Sequence, residues 1–316
     1  LTHRWLGRLT RDVCGVGDRG PGCRCAAHDH NQLVVTADDH QSFRPTLQPA
    51  LEKALRSFFG AAKTEAIDIP ALIDRARPFL AEAPRTTGEL RDYLVEVTPQ
   101  HEGDALAYAA RTHLPLLQVP PAGTWGSGTR ASYVAAVDVL GEPEPPDLRL
   151  LLQRYLAAFG PATVMDFQFW TGMTHLKGPI KQMMDDFVVY TDESGTEYLD
   201  NPDTPLPDPD TPAPVRFVPE YDNLVIAHKD RTRVLADEDY NKVFLSAARV
   251  LPTFLVNGFV AGTWATERQK DSATLVLSPF RPLSAEALTA LEAEGEALLR
   301  FIEDDANTFE LQVQPT

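Results

Sequence analysis

The sequence lacks a long apolar run, which argues against a membrane protein. No run approaches the ~20 residues that a membrane-spanning helix needs, and the first residues lack the apolar core of a signal peptide. The 316 residues are 43% hydrophobic and 23% charged, which is typical of a globular protein of two or three domains. We therefore expect a cytoplasmic protein.

The sequence is also poor in basic residues. It has 29 Lys and Arg against 45 Asp and Glu, a net charge of −16, and phosphate contacts depend on Lys and Arg. Two segments hold most of this excess: residues 191–215 have seven acids and no Lys or Arg, and residues 282–316 have eight acids and only Arg300. The rest is close to neutral, so the charge does not exclude DNA as a ligand.

Cysteine is confined to residues 1–32, a Gly- and Arg-rich segment without a sustained apolar period. Cys23, Cys25, His28 and His30 could form a metal cluster. Structural zinc sites usually separate paired cysteines by two to four residues, however, so the single-residue gap is unfavourable. We predict no metal site and no cofactor, and we interpret residues 1–32 as an atypical N-terminus that is truncated, mistranslated or disordered.

The sequence from residue 148 to 201 predicts three helices followed by a β-hairpin. Leu151 and Tyr155 lie on the apolar face of the first helix, which Gly160-Pro161 ends. Thr163 is placed to cap the second helix, and a third is predicted over 174–184. Phe187–Tyr190 and Glu197–Leu199 flank a turn and form the hairpin. This order is that of a winged helix, whose third helix normally enters a DNA major groove; a three-helix packing unit without nucleic acid is the alternative.

The same order occurs earlier in the chain. Helices are predicted over 69–80, 89–95 and 104–113, the second opened by a capping box at Thr86–Glu89. A strand over 116–119 and another within 131–139 follow. The fold class is therefore α+β, with tandem winged-helix domains.

Proline-rich segments suggest the domain boundaries. Glu142–Pro146 is a stiff connector, and residues 200–214 form an extended Pro/Asp-rich loop. We predict a first winged-helix region over 33–141, a second over 142–214, and a C-terminal α+β unit over 215–316. Asn257-Gly258 predicts a hairpin turn in that unit, which is expected to end in an acidic packing helix over 284–304.

Four stretches together resemble one protein family. They are TADDHQSFRP (36–45), LPLLQVPPAGTWG (114–126), YLAAFGPATVMDFQFWTG (155–172), and VPEYDNLVIAHKDRTRV with VNGFVAGTW (218–234 and 256–264). They are similar to the bacterial tandem winged-helix proteins that include the AlkZ- and YcaQ-type DNA glycosylases. The resemblance implies a set of winged helices around a DNA-sized concave face, and excision of alkylated or crosslinked bases by some members.

The sequence departs from this family at the expected catalytic motif. The family's Gln–apolar–Gln or Gln–apolar–Asp motif should precede Thr36, but residues 1–32 do not contain it. The expected Arg–x–Thr–x–His pattern is also missing, since His28-Asp29-His30-Asn31 stands there. The triplet over 312–314 has the right letters at the wrong end of the chain, and we treat it as coincidence. We assign no catalytic residue: either the gene is truncated or this member only binds DNA.

Candidate DNA contacts fall in three places. His175, Lys177 and Lys181 belong to the predicted recognition helix, where lysines suit phosphates; an ordinary solvated helix face is the alternative. Arg130 lies in the first predicted wing with Trp125, which we expect to pack against Pro121. Lys229, Arg231 and Arg233 form the densest basic cluster, although Asp222, Asp230 and Asp237 could neutralise it.

Acidic and aromatic residues near these cations are interpreted as structural. Asp166 and Trp170 are expected to fix the second winged helix. The Glu220-Tyr221-Asp222 trio could supply an acid that assists a reaction, but a hydrogen-bonding role is favoured. The sequence thus predicts a monomer that binds double-stranded DNA in alkylation or crosslink repair. A non-catalytic DNA-binding regulator and an interaction scaffold without a DNA role are the alternatives.

Overall fold

The computed structural model describes residues 22–26, 32–122 and 129–316, with the side chains of 22–26, 32–34 and residue 247 left aside. The strands are β1 Gly22–Ala26, β2 Gln32–Thr36, β3 Leu116–Val119, β4 Ser132–Ala135, β5 Val188–Thr191, β6 Glu197–Asp200, β7 Arg216–Val218, β8 Thr253–Val256, β9 Phe259–Arg268, β10 Ser272–Pro279 and β11 Thr308–Val313.

The helices are numbered in the same way, in chain order. They are α1 Ala37–Thr46, α2 Gln48–Phe59, α3 Ala61–Thr64, α4 Ile69–Glu82, α5 Thr87–Val97, α6 Gly103–His113, α7 Ala136–Leu140, α8 Leu148–Phe159, α9 Val164–Thr171, α10 Lys177–Lys181, α11 Asn223–Ile226, α12 Tyr240–Val243 and α13 Ala285–Ile302. Short 3-10 turns lie at Met184–Asp186, Asp237–Asp239 and Ser246–Ala248. No helix in the described part of the chain is long and apolar enough to cross a membrane.

The chain divides into two compact units. Unit 1 comprises the described residues up to Pro161 together with Thr171–Asn201, and unit 2 comprises Ala162–Trp170 together with Pro202–Thr316. Unit 2 therefore takes most of α9 from the middle of the sequence. The predicted domain ranges 33–141, 142–214 and 215–316 stay predictions.

Unit 1 contains a four-stranded sheet and the larger group of helices. The strand order is β2-β1-β3-β4, and β1 pairs antiparallel with β2 and with β3. The helices α4, α5 and α6 bury Leu80, Leu94 and Leu106, each at most 2% exposed. A separate two-stranded sheet, β5-β6, lies at the end of the unit.

Local capping explains where some of the helices of unit 1 begin. The Thr86 hydroxyl accepts from the Glu89 amide at 3.2 Å while the Glu89 carboxylate accepts from the Thr86 amide at 2.7 Å, which is the predicted capping box. Asp68 caps α4 and Asp147 caps α8 in the same manner. These polar side chains satisfy amides that have no partner inside the helix.

The predicted third helix of the 148–201 region is much shorter than expected. The sequence pattern predicts a helix over 174–184, but α10 covers only Lys177–Lys181. His175 has a φ of 64°, a left-handed conformation that a helix cannot include. Pro179 has no amide hydrogen and is tolerated only in the first turn, so the helix begins just before it.

Unit 2 is built on a five-stranded sheet with the order β11-β10-β9-β8-β7. The predicted Asn257-Gly258 hairpin turn is confirmed: the two residues have φ of 52° and 81°, as a type I′ turn requires. Leu291 and Leu299 of α13 share a buried core with Leu275 and Leu277 of β10. A second core in this unit includes Val225, Val234 and Val243.

The C-terminal helix is not the last element of the chain. The sequence was expected to end in a packing helix, but β11 follows α13 and pairs parallel with β10. Exposed and half-buried side chains alternate over most of Thr308–Val313. This pattern suits a strand at the edge of a sheet, where one face is in contact with solvent. The mixed α+β class is confirmed, while the arrangement as tandem winged helices stays a prediction.

Candidate nucleic-acid interface

The α10 segment, residues 175–181 of unit 1, carries three exposed basic side chains, those of His175, Lys177 and Lys181. Lys177 and Lys181 stand four residues apart in α10 and so lie on the same side of the helix, while Ile180 is fully buried. No hydrogen bond or ion pair joins the side chains of His175, Lys177 or Lys181 to another residue that the structure describes. The charges of Lys177 and Lys181 are therefore available to an anionic ligand.

The two acidic residues that follow this segment in the sequence, Asp185 and Asp186, differ in their contacts. Asp186 forms an ion pair with Arg149, so its carboxylate is compensated by another part of unit 1. Asp185 is exposed. The segment thus combines the two positive charges of Lys177 and Lys181 with the negative charge of Asp185 next to it in the sequence, in a protein of net charge −16.

Arg130 is exposed and stands beside the first turn of α5. A Cβ added to Gly88 would lie 3.0 Å from Nη2 of Arg130. The pKa of Glu89 is lowered, first by its hydrogen bonds from Thr86 and to a smaller extent by Arg85 and Arg130. Arg130 is therefore partly compensated by Glu89. Trp125, its expected neighbour in the first wing, lies outside the described residues, as do His28 and His30 of the imagined metal cluster.

In unit 2 the buried carboxylate of Asp166 holds the basic turn in place. Its Oδ2 accepts from the amide and the hydroxyl of Thr163, at 2.9 and 2.8 Å. Its Oδ1 accepts from the amide of Lys229 at 2.9 Å and, more weakly, from that of Asp230 at 3.4 Å. Asp166 is 3% exposed. Thr163 caps α9, as expected, because its hydroxyl accepts from the Asp166 amide at 3.1 Å. The Asp166 carboxylate completes this capping box and also fixes the backbone where the basic cluster begins.

Asp230 and His228 determine the environment of Arg233. The carboxylate of Asp230 accepts from the amide and hydroxyl of Thr232, at 2.9 and 2.7 Å. These bonds, with a smaller contribution from Arg233, lower the pKa of Asp230. Nη1 of Arg233 lies 3.2 Å from Nε2 of the buried His228. This distance suits a hydrogen bond in which the guanidinium donates to Nε2 of His228.

Arg231 is packed into the protein. Its Nε donates to the carbonyl of Val225 at 3.1 Å. Its guanidinium carbon lies 4.9 Å from the Phe169 ring centre and 4.5 Å from that of Phe244. Burial lowers its pKa. These cation–π contacts tie the basic turn to α9 and to Phe244, the residue that follows α12. Arg231 thus has a packing role that its sequence position did not reveal.

Lys229 is an exposed cation of this cluster. Its side chain is exposed, and within the described residues no hydrogen bond or ion pair to that side chain is present. The three predicted residues of the turn thus differ: Lys229 is exposed, Arg233 lies against His228, and Arg231 is half-buried. His175, Lys177, Lys181 and Arg130 belong to unit 1, and this cluster belongs to unit 2.

The neighbouring acid and tryptophan have structural contacts. The Trp170 indole donates to Oδ1 of Asn223 at 3.1 Å. Asp222 caps α11 by accepting from the Leu224 amide at 2.8 Å, and burial raises its pKa. Glu220 is exposed and lines a cavity. Of the Glu220-Tyr221-Asp222 trio, Asp222 therefore has the hydrogen-bonding role that the sequence favoured.

Comparison with known proteins identifies the family. A model of the AlkZ-like DNA glycosylases matches residues 20–301. The chain belongs to the AlkZ-like DNA glycosylase family. Its fold is similar to a solved structure of the DNA glycosylase AlkZ from Streptomyces sahachiroi, with a TM-score of 0.72 and 16% identity over 99% of this chain and 84% of that one. A search of curated proteins found no match.

The family match ends before the Gln–apolar–Gln triplet over 312–314. Gln312 and Gln314 lie beyond residue 301, outside the matched region. Gln314 accepts from the Ser278 hydroxyl at 2.8 Å, and Gln312 is exposed in the edge strand β11. Both observations favour the interpretation of this triplet as coincidence.

Proposed function

We propose that this AlkZ-like protein binds double-stranded DNA and acts in the repair of alkylated or crosslinked bases. The observation that carries the proposal is the family match over residues 20–301. The exposed cations of the α10 segment supply the second argument, because phosphate neutralisation provides most of non-specific DNA affinity. The excess of acidic residues is concentrated elsewhere in the sequence.

We further propose that the helices and hairpins form tandem winged helices. In chain order, α8, α9 and α10 precede the β5-β6 hairpin, and α4, α5 and α6 precede β3 and β4. A recognition helix presents its side chains to a major groove, and the adjacent wing contacts backbone. With only five residues, α10 offers Lys177 and Lys181 to phosphates and little length for reading bases.

Base excision makes chemical demands on such a protein. The target nucleotide must leave the base stack, and the developing cationic sugar must be stabilised while water attacks. The described residues that were identified from sequence as DNA contacts are Lys, Arg and His side chains suited to phosphates. We therefore place phosphate contacts at the exposed Lys177 and Lys181, do not count the packed Arg231 among them, and assign no residue to the cleavage step.

An excision assay tests the proposed function. A labelled duplex with one 7-methylguanine is incubated with the protein under single-turnover conditions, and abasic sites are cleaved with hot alkali. The expected result is strand cleavage above the protein-free level, and none with an unmodified duplex. A Lys177→Glu/Lys181→Glu variant should lose DNA affinity, and with it product formation.

The other outcomes separate the alternative functions. Salt-sensitive binding without base release would make the protein a non-catalytic DNA binder and would overturn the excision proposal. Absence of binding even at low salt would overturn the DNA proposal altogether and leave an interaction scaffold. Monomeric state remains a prediction, which sedimentation of the DNA complex can test.

A further inference from the structure

Unit 2 contains a cavity that the duplex-binding residues do not use. Its volume is about 390 Å³, and it is lined by the loop after β7, the loop before β8, and β9 and β10. This volume lies in the range of small-molecule sites, which begins at about 300 Å³. The polar residues that line it are Glu220, Arg249, Thr263, Thr266 and Ser278, and its aromatic residue is Trp264.

The aromatic wall is rigid. The Trp264 indole N–H donates to the carbonyls of Val218 and Thr253, at 3.0 and 3.1 Å. Phe217 packs edge-on against the same ring, with 5.9 Å between the ring centres. The polar atom of the indole is thereby satisfied within the protein, and the ring is held in one orientation. Such a ring is suited to stacking on a planar ligand.

The cavity is also bordered by one carboxylate and one guanidinium that form no ion pair with each other. Glu220 and Arg249 are both exposed, and in the described part of the chain neither side chain has a hydrogen bond or an ion pair. A carboxylate and a guanidinium that border one cavity without joining each other can serve two different groups of a ligand. The guanidinium suits a phosphate or carboxylate, and the carboxylate suits N–H donors.

Strained backbone lies next to both charges. Tyr221 follows Glu220 and Ala248 precedes Arg249, and both have a φ of 57°. Non-glycine residues rarely adopt this conformation, which costs energy and is concentrated at ligand sites. In two separate loops the strain is thus adjacent to the residue that brings a charge to the cavity.

The hydroxyl-bearing residues that line the cavity can supply further hydrogen-bond acceptors for a ligand. The Ser278 hydroxyl donates its proton to Oε1 of Gln314 at 2.8 Å, which leaves its lone pairs free to accept. Thr263 and Thr266 of β9 also line the cavity. The combined wall offers an aromatic face, an acceptor-only carboxylate, a donor-only guanidinium and small hydroxyls.

We propose that this cavity binds one unmodified guanine nucleotide. The guanine ring stacks on Trp264, its N1–H and N2–H donate to the Glu220 carboxylate, and its phosphate lies on Arg249. Guanine alone among the DNA bases presents two adjacent donors on this edge, so it matches a carboxylate best. The inference rests on the proposed function, because DNA would be one source of the nucleotide; a free guanine nucleotide shares the same chemistry.

Calorimetry with the full chain tests the site. The ligands are 5′-GMP and 5′-IMP, which lacks the 2-amino group. We expect GMP to bind roughly tenfold more tightly than IMP, since one bidentate contact discriminates to about that extent. Glu220→Gln should weaken GMP binding by a similar factor and abolish the preference over IMP. Arg249→Gln should weaken GMP but not guanosine.

A matched control and a second ligand complete the test. Glu292→Gln removes an exposed carboxylate of α13 and should bind GMP as the unaltered protein does. Equal affinity for GMP and IMP, or unchanged binding by Glu220→Gln, would overturn the proposal, as would no binding of GMP at millimolar concentration. A thymine dodecamer with one central guanine, compared with the all-thymine strand, assigns the source to DNA if the guanine improves binding. GMP binding without that improvement assigns a free nucleotide. Because GMP binding needs no duplex, failure here leaves duplex binding and excision untouched.

Discussion

The hydrogen bonds of Asp166 predict a large effect from a change of one atom. Asp166→Asn keeps the size of the side chain but replaces one acceptor oxygen with an NH₂ donor. If the remaining oxygen faces Thr163, the new donor meets the Lys229 amide, which now lies 2.9 Å from Oδ1. If it faces Lys229, the NH₂ meets the two donors of Thr163.

The cost follows from the burial of this carboxylate. Each orientation loses at least one charge-assisted hydrogen bond and leaves a donor unsatisfied in a site that is 3% exposed. We expect the free energy of unfolding of unit 2 to fall by about 2–4 kcal/mol. The loss should be concentrated at the start of α9 and at the Lys229–Thr232 turn.

Urea titration with amide hydrogen exchange measures this effect. Exchange should accelerate at the amides of Asp166, Lys229 and Thr232 in the variant. Asp304→Asn changes an exposed carboxylate in the same unit and should leave stability within about 0.5 kcal/mol of the unaltered protein. A change below that level for Asp166→Asn, with unaltered exchange in the turn, would refute the assignment of Asp166 as the link between α9 and the basic turn.

Three further substitutions test the packing. His40 is 6% exposed, and its pKa is lowered to about 4, first by burial and then by Arg44. Because the unfolded state takes up the proton first, the free energy of unfolding should fall by about 3 kcal/mol as the pH drops from 6.5 to 4. Urea titrations at these two pH values should show this fall in the unaltered protein and not in His40→Leu. Thr86→Ala should lower the free energy of unfolding by about 1 kcal/mol through loss of the α5 cap, and a change near zero would contradict this. Gly262→Ala should lower the free energy of unfolding by about 1–3 kcal/mol, because its Cβ would overlap the Phe254 ring. Gly178→Ala is the control, since its Cβ would meet nothing within 4 Å, and it should not destabilise the protein. Equal melting temperatures for the two variants would contradict this contrast.

Much of the local structure could be predicted because its causes are close together in sequence. The Thr86–Glu89 box spans three residues and the Asn257-Gly258 turn two, so their chemistry is visible without the fold. The α10 segment was predicted too long because apolar spacing outweighed Gly178-Pro179 and the left-handed conformation of His175 was not visible. β11 was not predicted, because six alternating residues without a turn signal can equally be irregular chain, and only their pairing with β10 makes them a strand.

The site was harder to predict because its contacts are distant in sequence. Asp166 and Lys229 are 63 residues apart, and nothing near either residue indicates the bond. Likewise, Arg231 and Lys229 look equivalent as basic residues of one turn. Only the aromatic rings of Phe169 and Phe244, brought together by folding, show that one cation packs while the other is exposed.

The salt dependence of duplex binding tests the central claim most directly. The affinity for a random duplex is measured by fluorescence anisotropy between about 50 and 200 mM salt, a range in which phosphate contacts make the affinity depend strongly on salt. The account predicts that Lys177→Gln/Lys181→Gln reduces the slope of log affinity against log salt by about two, because each phosphate contact contributes about 0.9. The control Lys53→Gln/Lys270→Gln, which removes two exposed lysines elsewhere, should leave the slope near that of the unaltered protein. Equal slopes for all three proteins would contradict the assignment of the α10 segment as a DNA contact.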